Sequence, residues 1–109
     1  VVKLLRAAEW AALQADGVFA GSPDDLRDGF IHLSAPDQVA GTLAKWFAGE
    51  TDVMALTLDA DALGADLKWE PARGGALFPH LYRPLRIAEV LSATPTTSPP
   101  PLGGGRETP

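Results

Sequence analysis

FIHLS, residues 30–34, sets a histidine inside a short apolar run. Phe30, Ile31 and Leu33 read as a strand, and a strand sends successive side chains to opposite faces. Phe30, His32 and Ser34 then share one face, with Ile31 and Leu33 on the other. The pattern Phe-x-His-x-hydroxyl returns in FPHLY, residues 78–82, and these two segments hold the 2 histidines of the chain. In the second strand Phe78, His80 and Tyr82 share a face. If the two strands are near neighbours facing the same way, His32, His80, Ser34 and Tyr82 line one cleft above a floor of Phe30 and Phe78. A lone histidine on an apolar face usually serves the core; two in matching contexts leave core and ligand roles evenly balanced.

The elements around these strands follow from pattern. VVKLL (1–5) reads as an opening strand. AAEWAALQAD (7–16) is rich in helix formers, with Ala7, Trp10, Ala11 and Gln14 on one face and Gly17 as the stop. VFA (18–20) is a short extended piece. Ser22 before Pro23, with Asp25 three residues on, marks the start of one helical turn ended by Gly29. Ser34-Ala35-Pro36-Asp37 repeats that start signal, so Ser34 also reads as the N-cap of a second main helix running to about Ala48. In that helix Val39, Leu43, Trp46 and Phe47 form an apolar stripe. DVMALTLD (52–59) is almost continuously apolar and reads as a central strand. A turn at 59–66, a strand at 66–71, a loop at ARGGAL and FPHLY follow. Pro79 there marks an edge or a strand start, and Val90 to Ala93 closes the domain. The order mixes several short strands, mixed or antiparallel, with two main helices: an α+β fold.

At 109 residues the chain holds one domain. The expected boundaries are 1–93 for the globular part and 94–109 for a flexible tail rich in Pro, Gly, Ser and Thr, which offers little to a core. The net charge of −5 argues against nonspecific nucleic-acid binding. With 0 cysteines there is no disulfide, thiolate nucleophile or cysteine-based zinc site, which suits a cytoplasmic protein. No apolar run approaches the length of about 20 residues that spans a bilayer, and VVKLLR lacks the pattern of a secretory leader.

Lys68, Arg73, Arg83 and Arg86 face only Glu70 within their segment, a basic stretch in an acidic chain. It reads either as solvated surface or as an anion pocket beside His80, with Arg73-Gly74-Gly75 as a loop whose amides can approach a phosphate. Two histidines without a third spaced ligand give no metal site. Trp10 and Trp46 read as core residues. Trp69 reads as core or as a stacking platform, and Tyr82 as an anchored edge residue or a ligand contact.

DGFIHLS (28–34) and WEPARGGALFPHLYRPL (69–85) resemble the two signature blocks of the bacterial proteins called domain of unknown function 952. AEW (8–10), GVFAGSPDDL (17–26) and FAG (47–49) fit as well, so the resemblance covers roughly residues 2–92. Arg83 stands where the family pattern usually has glycine. The resemblance implies a fold similar to the ADP-ribosyltransferase superfamily, whose members include NAD-dependent transferases and RNA 2′-phosphotransferases. By that likeness His32 sits against a ribose and Glu70 supports a developing cation; these two are the candidate catalytic residues. Ser34, Trp69, Arg73, His80 and Tyr82 are the candidate binding residues for a nucleotide, with NAD as the candidate cofactor. The alternative is a non-catalytic ligand-binding or interaction module whose histidines are structural.

Overall fold

The opening strand decides how the chain divides its apolar residues. In the computed structural model, which describes residues 1–96 apart from the side chain of Arg73, β1 (Val2–Leu5) is buried along its whole length. It pairs antiparallel with β4 (Val53–Leu58), and β4 pairs with β8 (Val90–Thr96), giving a three-stranded sheet with β4 in the centre. Alternation sends Val2, Leu4 and Val53 to one face, where Leu43 and Phe47 of α3 (Val39–Trp46) cover them. It sends Leu5, Leu56 and Leu58 to the other face, into the main core with Leu13, Ile31, Leu81 and Leu85. Each such leucine, fully buried, contributes roughly 1.5–3 kcal/mol.

A second antiparallel sheet runs in the order β3 (Ile31–His32), β6 (Leu77–Leu81), β5 (Leu67–Pro71). The remaining strands β2 (Val18–Phe19) and β7 (Leu85–Arg86) form a small ribbon. With α1 (Ala7–Asp16), α2 (Pro23–Asp28) and α4 (Ala60–Leu63), this is an α+β domain with antiparallel sheets, in which α1 and α3 are the longest helices. Among the described residues no helix is long and apolar enough to cross a membrane.

Pro79 was expected to mark an edge or a strand start and marks neither. It lies inside the central strand of the second sheet. The ladder accommodates it by ending. The Leu33 amide donates to the Pro79 carbonyl at 3.0 Å, but Pro79 has no N–H to return. The chain leaves β6 there, and Ser34 pairs with Val2 instead through two backbone hydrogen bonds of 2.8 Å. This bridge ties the two sheets together beside His32.

Other expectations need correction. Ser34 is not a helix cap: a 3-10 turn at Pro36–Gln38 precedes α3, the Gln38 side chain caps the Ala35 amide, and the Ser34 hydroxyl bonds that of Thr42 at 3.0 Å. The second main helix stops at Trp46 rather than Ala48. Trp46 is 57 % exposed, because Leu43 and Phe47, one turn apart, take the sheet-facing position and leave Trp46 on the flank. In α1 the buried residue is Leu13, with Trp10 partly buried against the core, while Ala7, Ala11 and Gln14 are exposed. The last strand runs to Thr96, not Ala93: Thr94, Pro95 and Thr96 pair with Ala55, Met54 and Val53. The rest of the expected tail, 97–109, lies outside the described residues.

Candidate functional site

The register of β3 on β6 brings the two histidines face to face, with His32 opposite His80. Leu33 and Pro79 occupy a hydrogen-bonded position, so the neighbouring histidine pair occupies the close, non-hydrogen-bonded one. Their ring centres are 5.7 Å apart with planes at 69°. Phe30 caps both, stacking on His80 at 4.0 Å and tilting over His32 at 4.6 Å. The twin pattern in the sequence thus reports a real cross-strand pair.

The outer edge of β3 has no strand beside it. Two side chains satisfy its backbone instead: the His32 amide donates to Asp25 Oδ1 at 3.1 Å, and the His32 carbonyl accepts from Lys3 Nζ at 3.1 Å. Asp25 also accepts from His32 Nδ1 at 2.7 Å, from Lys3 Nζ at 3.1 Å and from the Ser22 amide at 2.9 Å. Lys3 and Asp25 are both buried. Burial pushes the Asp25 carboxyl up, but the His32 hydrogen bond, the Lys3 charge and the Ser22 and His32 amides outweigh it. The group lies well below the usual carboxylate range. His32 Nε2 meets Asp28 Oδ2 at 3.0 Å, so this ring lies between two carboxylates. Both contacts are hydrogen bonds only when both ring nitrogens carry protons.

His80 is held differently. Its Nδ1 meets Glu70 Oε1 at 2.8 Å, and the Tyr82 hydroxyl donates to the same oxygen at 2.6 Å. These bonds, Tyr82 first and His80 second, hold the Glu70 carboxyl below its ordinary value, and the same bond raises the Tyr82 phenol. The His80 side chain is only 7 % exposed. Its Nε2 has no hydrogen-bond partner among the described residues. A buried ring nitrogen left in that state is costly, and His80 lines a cleft of about 320 Å³.

That cleft brings His32, Ser34 and His80 together with Lys3, Thr42, Phe78 and the exposed Trp46. Among the described side chains, Glu70, Trp69 and Tyr82 do not line it. Trp69 pairs with Pro79, so alternation puts it on the opposite face of the sheet from His80, where it is 46 % exposed. Trp69 is therefore neither core nor a platform for this cleft. Glu70 stands behind His80, on its Nδ1 side, and Tyr82 lines a neighbouring pocket on the far side of Phe30. The side chain of Arg73 lies outside the described residues. Two of the four expected basic residues are engaged by acids: Arg83 bonds Asp66 and Glu89, and Arg86 approaches Glu89 at 3.6 Å, while Lys68 lies over the Tyr82 ring. Arg83 is thus a structural clamp on the turn before Pro84, whose carbonyl it also bonds. Among the described residues no group of three or more His, Asp or Glu side chains is arranged to hold a metal.

Asp25, Lys3 and Trp46 were not among the expected site residues. Asp25 was visible only as the residue three after the cap in a capping box, a role it does fill. Lys3 could have been found as the one charge in an apolar strand.

The family described as "Protein of unknown function (DUF952)" matches residues 4–93. The X-ray crystal structure of protein CC0527 from Caulobacter crescentus is 54 % identical in sequence and superposes with a TM-score of 0.83. The match covers 86 % of this chain and 82 % of that one. The solution NMR structure of CC0527 is 55 % identical, with a TM-score of 0.77 and coverage of 85 % and 80 %. No curated protein matches the chain in sequence.

Proposed function

The chain belongs to the DUF952 family of proteins of unknown function, and from that premise we propose that its cleft binds a nucleotide of the NAD or ADP-ribose kind. The observation that carries this reading is His80, a buried residue of the cleft whose Nε2 has no hydrogen-bond partner among the described residues. A ribose hydroxyl or a phosphate oxygen satisfies such a group. Its other nitrogen is fixed by Glu70, so ring and tautomer are set before the ligand arrives. His32, backed by Asp25, contributes the second polar wall for the ribose, and the hydroxyls of Ser34 and Thr42 continue it.

The proposal extends to an ADP-ribosyltransferase-like fold and to ADP-ribosyl or phosphoryl transfer in the cytoplasm, with His32 nearest the reacting ribose. Glu70 is assigned a positioning role in place of the direct one first expected, because its carboxylate is committed to His80 and Tyr82. The same commitment favours a second reading, a binding module without turnover, since Glu70, the one carboxylate of the expected set, does not line the cleft.

Thermal denaturation with NAD, ADP-ribose and AMP tests the binding. A ligand at about 100 times its Kd adds about 2.7 kcal/mol of stability, and His80→Gln should abolish the protection. Failure of all three ligands to protect would defeat the reading. Nicotinamide release from NAD, or phosphate transfer from a 2′-phosphorylated RNA, then separates transferase from binding module.

A further inference from the structure

We infer that Trp46 is the stacking platform of the cleft, and that the ligand is a compact unit with a planar aromatic ring at one end and a hydroxylated or anionic group at the other. This rests on the nucleotide reading above and adds what that reading leaves open: where the base goes, and how much of a nucleotide the cleft takes.

Trp46 closes α3 at 57 % exposure, although its neighbours Leu43 and Phe47 are buried. Of the large apolar side chains exposed to solvent in the described residues, it alone lines the cleft that contains His80. A scattered surface tryptophan needs no explanation, but this one shares a cavity with the buried His80, whose Nε2 has no hydrogen-bond partner among the described residues. The Trp46 ring sits beside the Lys45 ammonium, 5.6 Å from its centre, and next to Phe47, over which the Arg6 guanidinium lies at 4.6 Å. An indole with few rotatable bonds offers a wide apolar surface at low entropic cost. The polar end of the ligand is set by His80 and by the Ser34–Thr42 hydroxyl pair. Lys3 donates to Asp25 and the His32 carbonyl, leaving one of its three N–H groups. The volume of about 320 Å³ is at the small end of ligand sites. It accepts one nucleoside-phosphate unit, and the remainder of a dinucleotide would extend past the rim.

The test compares AMP with ribose 5-phosphate, which lacks the ring, by titration calorimetry on the wild type, Trp46→Ala and Trp46→Phe. Trp46→Ala should weaken AMP by about fivefold to hundredfold, the range of base–aromatic stacking. Trp46→Phe should keep much of the affinity, and ribose 5-phosphate should bind all three alike. Undiminished AMP binding by Trp46→Ala overturns this inference alone. So does an equal loss for both ligands, which would make Trp46 a shaping residue. If neither ligand binds the wild type, the nucleotide reading falls and this inference with it. Matching far-ultraviolet circular dichroism across the three proteins ensures that the losses are read on folded chains.

Discussion

The two histidine–carboxylate pairs are built in opposite senses. In one, the carboxylate is deep and the ring open: Asp25 is 2 % exposed and His32 40 %. In the other, the ring is deep and the carboxylate open: His80 is 7 % exposed and Glu70 37 %. The buried member decides what each pair does. Asp25 gathers Lys3, His32 and Ser22, drawn from three separate segments, so its pair holds the fold. Glu70 fixes a ring that borders the cleft and whose far nitrogen has no hydrogen-bond partner among the described residues, so its pair is the one assigned to the ligand.

This contrast breaks first at Asp25. Asp25→Ala strands a buried ammonium on Lys3 and should cost about 3–5 kcal/mol in denaturant titration. A near-neutral result would mean that Lys3 finds another partner and that Asp25 is dispensable to β3. Gly21→Ala approaches the same point from the backbone. Gly21 has φ +135°, and an added Cβ would come within 2.8 Å of the Asp25 Cβ. A loss of about 1–3 kcal/mol is expected, and an unchanged midpoint would show that α2 can shift away freely.

Acid sharpens the contrast. The folded Asp25 carboxyl lies below its unfolded value of 3.8, so it contributes stability above that pH. The contribution fades as pH falls below that value towards the lower folded one. Asp25→Asn should therefore flatten the decline in stability seen from about pH 5 downwards, and an unaltered slope would assign acid unfolding to other groups. The smallest effect on stability should come from Glu70→Gln. Its denaturation midpoint should match the wild type, while nucleotide protection against heating falls. A large stability loss with protection intact would reverse the roles assigned to the two pairs.

Much of this fold can be read from the chain because its signals are local. Ser22-Pro23 with Gly29 bounds α2, Gly17 ends α1, and the apolar run of β4 declares a central strand. The site was half legible. The repeated Phe-x-His pattern implied that the histidines share a face, and the β3–β6 register pairs them. What escaped depends on pairing between distant segments. Asp25 looked like a cap until β3 brought the His32 amide to its second oxygen. Thr94–Thr96 looked like tail because nothing in their composition signals β4; they form an edge strand, where a proline such as Pro95 is tolerated. Trp46 looked buried because a stripe on a helical wheel cannot say which of its members the sheet covers.

Phe30 gives the molecule a built-in spectroscopic gauge. Its ring contacts His32, His80 and Tyr82 at once, with centres 4.6, 4.0 and 5.3 Å away. An aromatic ring at that range displaces the magnetic resonances of protons above its face. The imidazole signals of the 2 histidines should therefore stand apart from random-coil positions, and each belongs to one side of the cleft. A molecule that bonds His80 Nε2 would move one signal, while a loosening of β3 would return both towards the coil. Occupancy and local unfolding would be told apart in one unlabelled sample.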